Sequence, residues 1–138
     1  MHLIRMIYVS TRVQGLDLDL NELSQVAHSN NKKSNLSGML AFDRKYFVQA
    51  IEGERKIVCK LLGKLFADPR HTDVVLLDFC PIERRDFGQW SMQFVPLDTS
   101  TKDVIFRHST DKSFNPYDFS KNSALSFLIE MRPVLNVA

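Results

Sequence analysis

The chain has 138 residues, 44% of them hydrophobic and 25% charged, which is typical of one globular domain with a short appended segment. Its formal net charge of +2 is small and its adjacent basic residues occur only as pairs, so we expect no direct binding to nucleic acid. No apolar stretch reaches the roughly 18–20 residues of a membrane span and no leader pattern is present, so we expect a cytoplasmic protein without membrane contact.

The first half of the chain predicts a strand, a helix and a hairpin. Residues 3–10 are apolar and rich in Ile and Val, which indicates a strand. Residues 17–31 predict a helix, because apolar positions recur at helical spacing. One face of this helix carries Leu20, Leu23, Ala27 and Asn31. Residues 36–42 and 46–52 flank a tight polar turn and predict two strands of a hairpin.

The second half predicts one long helix, two strands and two short helices. Residues 54–67 follow the i, i+3, i+4, i+7 pattern of a helix with a core-facing stripe. That stripe consists of Val58, Leu61, Leu62, Leu65 and Phe66. Residues 74–79 and 89–97 predict the fourth and fifth strands. Beyond them, residues 102–109 and 120–131 each predict a short helix.

The order β-α-β-β-α-β-β predicts an α+β fold of the ferredoxin-like kind. We expect a mixed five-stranded sheet, a C-terminal helical cap and, because crossovers are right-handed, two helices on one face. The groove between those two helices is a natural place for a ligand.

Polar residues interrupt two of the predicted buried strands. Tyr8 shares a face with other residues of the first strand, and Gln49 shares a face with Phe47 and Ile51 on the third. If the two strands pair, the Tyr8 hydroxyl and the Gln49 amide point together toward the helices. Asn31 adds a second amide with both donor and acceptor atoms. The alternative is that Gln49 is a buried amide satisfied by backbone groups.

Other candidate residues have equally ordinary explanations. Asn30 is typical of a helix end. Trp90 and Met92 alternate on the predicted fifth strand, and core packing is their usual role. Glu52 precedes a glycine at a strand–helix junction, where solvation or capping is expected. The histidines and the two cysteines have no metal-binding spacing, so we expect no metal site and two reduced thiols.

Taken together, these residues form an ordered motif set. It consists of Tyr8, Asn30-Asn31, Gly38, Phe47-x-Gln49-x-x-Glu52-Gly53, Asp68-x-Arg70-His71 and Arg85-x-Phe87-x-x-Trp90-Ser91-Met92. In order and spacing this set resembles the BLUF family (blue-light sensing using FAD) along residues 2–97. The resemblance implies a flavin-binding photosensory domain over residues 1–97. It also implies a C-terminal helical extension over residues 98–138 that packs on the sheet.

The resemblance also implies a role for each motif residue. Tyr8 is expected to donate an electron and a proton to the excited flavin, Gln49 to bridge Tyr8 and the flavin N5/C4=O edge, and Asn31 to hold the C4=O/N3–H side. The expected ring walls are Asn30, Leu40, Phe47, Ile51 and Leu65. The expected ribityl or phosphate contacts are Lys64, Arg70 and His71, with Asp68 nearby. Trp90 and Met92 are expected to relay the signal, with no indication of which one faces the flavin.

The function implied by the resemblance is light sensing without turnover. The electron and proton return to Tyr8, Gln49 ends rotated or tautomerised, and the flavin absorption shifts slightly to the red. FAD is the expected cofactor, with FMN or riboflavin possible in the same pocket. We expect no output enzyme, a downstream signalling or transcription-regulatory partner protein, and a homo-oligomer.

Two other functions stay open from the sequence. One is a flavin-dependent oxidoreductase that uses the same pocket, although no feature indicates a second substrate site. The other is a ferredoxin-like regulatory or interaction module that binds no flavin, in which the polar strand residues are structural.

Overall fold

The computed structural model of the chain describes residues 2–15 and 20–133. The strands are β1 (Leu3–Arg12), β2 (Ser37–Phe42), β3 (Tyr46–Glu54), β4 (His71–Pro81) and β5 (Gln93–Pro96). The helices are α1 (Leu20–Lys33), α2 (Arg55–Ala67), α3 (Lys102–His108) and α4 (Lys121–Glu130), with 3₁₀ turns at Thr99–Thr101 and Pro116–Asp118. The predicted helix start at Asp17 lies outside the described residues, as do the side chains of Leu20 and Leu23.

The five strands form one sheet in the order β4-β1-β3-β2-β5. Neighbouring strands are antiparallel except β2 and β5, which run parallel. The predicted α+β, ferredoxin-like mixed sheet is therefore confirmed. It places β1 and β3 side by side at the centre, where both faces of each strand are covered. Coverage on both faces explains why residues 4–9 are all buried and form a nearly continuous apolar run.

One face of the sheet packs against α1 and α2. Because side chains alternate along a strand, Ile4, Met6 and Tyr8 of β1 all face these helices. The predicted stripe of α2 packs on them, and Val58 is fully buried at its centre. Phe66 was predicted in the same stripe but is 59% exposed. It lies roughly 80° around the helix axis from Val58, at the margin of the contact.

The opposite face packs against the C-terminal segment. Its shared core joins sheet residues with side chains of α3, α4 and the turn between them. The members are Ile7, Val9, Met39, Ala41, Val48, Ala50, Phe87, Ile105, Phe119, Ala124, Phe127 and Leu128. Ser120 begins α4 with a capping box, since its hydroxyl accepts from the Ser123 backbone N–H at 3.1 Å. Tyr117 ties the segment to the sheet by donating to the Asp73 carbonyl at 2.7 Å.

The fifth strand is shorter than predicted, and Trp90 and Met92 are not part of it. β5 begins only at Gln93. The Trp90 N–H closes a turn on the Phe87 carbonyl at 3.1 Å, and the Trp90 carbonyl accepts from the Gly38 N–H at 3.2 Å. The turn removes Trp90 from the strand ladder, so the predicted alternation over 90–92 is wrong. Met92 packs in the core on the α1–α2 side, whereas Trp90 packs against the core on the opposite side.

Candidate functional site

A cavity of about 740 Å³ lies between α1 and α2, over the sheet face that carries Tyr8. Its walls are largely apolar and include Leu36, Leu40, Phe47, Ile51, Ile57, Leu61, Leu65 and Phe94. Its polar groups include the Tyr8 hydroxyl and the amides of Asn31 and Gln49. Of the residues predicted for the site, those that line it are Tyr8, Asn30, Asn31, Leu40, Phe47, Gln49, Ile51, Lys64, Leu65, Asp68, Arg70, His71 and Met92. Trp90 is the predicted site residue that does not.

Tyr8 and Gln49 meet at the sheet side of this cavity. They are directly opposite in the β1–β3 register, so their side chains leave the same face. The Tyr8 hydroxyl donates a hydrogen bond to Gln49 Oε1. Burial raises the pKa of Tyr8 well above its ordinary value, Asp68 adds to the rise and Arg70 opposes it. Tyr8 is therefore a neutral phenol that keeps its proton for donation.

Gln49 also contacts Met92, through the other end of its amide. Gln49 Nε2 donates to Met92 Sδ at 3.3 Å, and both side chains are buried. A thioether is a weak acceptor, so one end of the amide is held firmly by Tyr8 and the other only loosely. The neighbouring position needs glycine, because a Cβ at Gly38 would lie 2.2 Å from the Ala50 carbonyl oxygen and 3.0 Å from Met92 Cε. The sheet thus places a rotatable amide between a phenol and a sulfur atom.

Asn31 places a second amide at the cavity. Its side chain is 8% exposed, and Nδ2 donates to the Ser91 carbonyl at 2.9 Å. The bond ties the end of α1 to the loop that carries Met92. It leaves the second amide hydrogen and Oδ1 for a ligand. Asn30 is exposed at the rim.

His71 already has partners on both ring nitrogens. Nε2 lies 2.6 Å from the Leu65 carbonyl, and Nδ1 lies 2.9 Å from Ser10 Oγ. A carbonyl only accepts, so Nε2 carries a proton and Nδ1 of the neutral ring accepts from Ser10. The ring also meets Tyr8 edge-on, with centroids 6.0 Å apart. His71 therefore braces β1 against the end of α2 and forms a wall of the cavity.

Arg70 is likewise occupied, by Asp68. The guanidinium Nε donates to Asp68 Oδ1 at 2.9 Å, and Nη2 donates to Oδ2 at 2.5 Å. This fork lowers the pKa of Asp68 and raises the pKa of Arg70. Of the three side chains predicted to contact phosphate, only Lys64 has no partner within the described residues.

Sequence reasoning missed two lysines and several apolar walls of the cavity. Lys33 and Lys60 line it beside Lys64. The signal for Lys60 was available, since it precedes Lys64 by one helical turn and so shares its face. The same spacing relates the wall residues Leu61 and Leu65. Nothing in the spacing of α1 points to Lys33.

Glu52 was expected to be solvated or to cap a helix, but it is fully buried. Its carboxyl oxygens accept hydrogen bonds from Ser37 Oγ at 2.8 Å, from the Asp86 N–H at 2.7 Å and from the Phe87 N–H at 3.0 Å. The network lies on the sheet face away from the cavity and fixes the β4–β5 loop. Arg85 extends it by donating to Ser37 Oγ at 2.9 Å.

The chemistry of the donor set fits a flat ring with an edge of alternating carbonyl and N–H groups. The apolar walls would cover the two ring faces, and the amides of Asn31 and Gln49 would meet the edge. Within residues 2–15 and 20–133, no group of acidic, His and Cys side chains is arranged to hold a metal ion. Over the same residues, no helix is long and apolar enough to cross a membrane.

Residues 3–93 match the family model described as BLUF, sensors of blue-light using FAD. The photoactivated adenylate cyclase subunit alpha of Euglena gracilis is 34% identical over 100 residues, which is 72% of this chain and 9% of that protein. The blue light- and temperature-regulated antirepressor BluF of Escherichia coli K12 is 28% identical over 78% of this chain and 27% of its own length. The chain thus spans only a small part of these curated relatives.

Solved structures match over nearly the whole chain. The photo-activated state of BlsA has a TM-score of 0.83 at 28% identity and covers 93% of both chains. The dark state of BlrB, described as a BLUF protein, has a TM-score of 0.77 at 25% identity and covers 94% of this chain and 93% of its own.

Proposed function

The chain belongs to the BLUF family of blue-light sensors, and from this premise we propose that Tyr8, Gln49 and Met92 form its light-responsive hydrogen-bond chain. The single observation that carries the proposal is the position of the Gln49 amide. It accepts from Tyr8 through Oε1 and donates to Met92 through Nε2, at the edge of a cavity of flavin-binding character.

Members of the family bind flavin, and we propose FAD as the form held here. A bound flavin supplies blue-light absorption and the capacity to accept an electron and a proton reversibly. Leu40, Ile51 and Leu65 enclose the ring, while Asn31 offers its remaining amide hydrogen and Oδ1 to the polar edge. Asp68 and Arg70 form a neutral pair at the cavity.

The proposed photochemistry begins at Tyr8. A bound flavin would supply a reversible acceptor for one electron and one proton after it absorbs light. The Tyr8 phenol would donate both and take both back, so no net oxidation would result. While the phenolic proton is away, Gln49 loses the donor that fixes Oε1, and the amide is free to turn. A half-turn exchanges Oε1 and Nε2, so that Nε2 donates to the Tyr8 oxygen and Oε1 faces the sulfur. Met92 then has no donor, and the loop that carries it is released from Gln49.

We propose that the chain itself performs no catalysis and passes this change to a separate signalling or transcription-regulatory protein. Trp90 supports this proposal, because it lies in the same β4–β5 loop as Met92 and packs on the core that α4 shares with the sheet. Residues 98–138 then act as a helical extension of the sensor domain 1–97. We further propose a homo-oligomer and, because both cysteines are free thiols, a reducing compartment such as the cytoplasm.

An absorption spectrum in the dark and directly after blue light tests the proposal. We expect flavin bands that shift slightly to the red after blue light and relax in the dark. Gln49→Leu is expected to bind flavin without forming this state, and Tyr8→Phe to bind flavin without the normal photocycle. Tyr46→Phe, a tyrosine on β3 that does not line the cavity, is the matched control. Flavin bands that bleach under light would favour an oxidoreductase. If the purified chain binds no flavin even after reconstitution, the proposal is contradicted.

A further inference from the structure

Ser10 is a fully buried hydroxyl residue that plays no part in the hydrogen-bond chain of Tyr8, Gln49 and Met92. It lies on β1, two residues after Tyr8, in a run that is mostly apolar. A hydroxyl removed from water is costly unless it forms a hydrogen bond. Its partner is His71, whose Nδ1 lies 2.9 Å from Ser10 Oγ. The buried hydroxyl is therefore satisfied by a side chain of the neighbouring strand β4.

An irregularity in the β1–β4 ladder accompanies this contact. At Ser10, β4 supplies two residues against one of β1. One of the two is Asp73, whose φ of 53° lies in the left-handed region. A bulge of this kind re-aims the side chains beside it. His71 is the ladder partner of Arg12, yet its ring reaches back to Ser10.

Hydrogen bonds at both nitrogens fix the plane of the His71 ring. Nε2 donates to the Leu65 carbonyl at 2.6 Å, and Nδ1 accepts from the Ser10 hydroxyl. In this orientation the ring meets Tyr8 at an interplanar angle of 81°, with centroids 6.0 Å apart. It meets Phe47 in the same way, at 72° and 6.4 Å. The clamped imidazole therefore restrains the ring of Tyr8 from the side.

Ser10 acts from behind the wall of the cavity. Tyr8, Phe47 and His71 line the cavity, whereas Ser10 does not. A ligand in the cavity thus meets the imidazole ring and not the hydroxyl. Any effect of Ser10 on the photochemistry must pass through the residues that it holds.

We propose that Ser10 is a positioning residue of the light response, which holds His71 edge-on against Tyr8 and so restrains the phenol that donates to Gln49. The inference rests on the proposed function and adds a residue outside both the cavity lining and the hydrogen-bond chain. When the Ser10 hydroxyl is removed, the phenol and the Gln49 amide rearrange against less restraint. Dark recovery should then become faster, while the red-shifted state still forms.

Ser10→Thr and Ser10→Val form the matched pair that tests this inference. Both replacements are β-branched, nearly equal in shape and favoured in strands, but only threonine keeps the hydroxyl. The absorption of the full-length, FAD-loaded protein is followed in the dark after a blue flash. Ser10→Val should recover roughly fivefold faster than Ser10→Thr, the size of change expected when one hydrogen bond between neutral groups is lost. Any packing strain from the added branch is common to both variants and cancels in the comparison.

A double-mutant cycle shows whether the hydroxyl acts through His71. In a His71→Phe background the ring remains but its nitrogens are gone, so Ser10→Thr and Ser10→Val should recover at the same rate. Thr11→Val is the control, because it removes the next hydroxyl of β1, which bonds Tyr117 on the opposite face of the sheet. This control should leave dark recovery unchanged.

Nuclear magnetic resonance in the dark tests the contact without any photocycle. The ¹⁵N resonance of His71 Nδ1, assigned by its absence from His71→Phe, depends on whether a donor reaches that nitrogen. It should differ between Ser10→Thr and Ser10→Val, because only threonine donates to Nδ1.

The outcomes separate this inference from the function on which it rests. If the parent chain cycles but the threonine and valine variants recover alike, the role of Ser10 is wrong while the light-sensing function stands. Coincident Nδ1 resonances in the two variants would likewise overturn it, as would a rate difference that persists in the His71→Phe background. If the parent chain shows no reversible red shift, the proposed function itself fails and this inference falls with it.

Discussion

Gln49 and Glu52 are two buried polar side chains on the same strand, three residues apart and on opposite faces of the sheet. Glu52 accepts three hydrogen bonds of 2.7–3.0 Å from groups on β2 and the β4–β5 loop. Gln49 accepts from Tyr8 and gives its amide hydrogen to a sulfur atom, a weak acceptor. One face of β3 is therefore locked by strong partners, whereas the amide on the other face has one strong partner, Tyr8, and one weak partner, Met92.

The same difference distinguishes the middle of the β4–β5 loop from its C-terminal end. Asp86 and Phe87, at its middle, are held by Glu52, and Arg132 donates to the Asp86 carbonyl at 3.0 Å. Met92, at its end, is held by Gln49. Under the proposed function, a change at Gln49 would therefore act on the end of the loop while Asp86 and Phe87 stay held by Glu52.

The largest expected effect comes from removing the locked group. Glu52→Ala leaves two backbone N–H groups and the Ser37 hydroxyl without their acceptor, and buried unsatisfied donors are costly. We expect the free energy of unfolding to fall by about 3 kcal/mol or more, measured by urea denaturation. If the alanine variant does not fold, Glu52→Gln keeps one acceptor oxygen and should show a smaller loss.

Gln49→Leu is the comparator for this measurement. It removes one strong and one weak hydrogen bond and adds apolar surface, so its cost should be on the order of 1 kcal/mol. Glu83→Ala, an exposed acid of the same loop, is the surface control. Equal losses for Glu52→Ala and Gln49→Leu would contradict the division into a locked face and a loosely held face.

A second prediction concerns the loosely held contact itself. Met92→Leu removes the sulfur acceptor at nearly constant volume, so the free energy of unfolding should change by less than about 1.5 kcal/mol. The red-shifted state should still form, but its lifetime should change, because Met92 no longer accepts from the Gln49 amide in the dark state. Dark-recovery kinetics after a blue flash measure this. A lifetime equal to that of the parent would show that the sulfur contact plays no part in recovery.

The smallest expected effect is electrostatic. The pKa of Asp68 is lowered by Arg70, so the pair stabilises the folded state above the ordinary pKa of the carboxyl group. That contribution is lost as the pH falls through the lowered value in the folded state. The pair is partly exposed, which limits the effect to at most about 1 kcal/mol. The stability difference between the parent and Asp68→Asn should be constant from pH 5 to 7 and shrink below about pH 4, and a flat difference would argue against the pair.

The sequence by itself determined the elements, the fold class and most of the cavity lining. The apolar run of β1 and the helical stripe around Val58 are local patterns, and hydrophobic periodicity reports which face of an element is buried. Leu40, Ile51 and Leu65 were expected at the ligand site only through the resemblance to the BLUF family, and all three line the cavity.

Only the tertiary structure decided the partners of the polar groups and the start of the fifth strand. The Glu52 carboxylate accepts a hydrogen bond from the N–H of Phe87, 35 residues away. The Asn31 amide donates one to the carbonyl of Ser91, 60 residues away. The turn at Trp90 likewise separates it from Met92, although the alternating residues predicted a shared face. The physical reason is that periodicity records burial, which is a property of one element. A hydrogen bond depends on two groups that meet only after distant segments have packed.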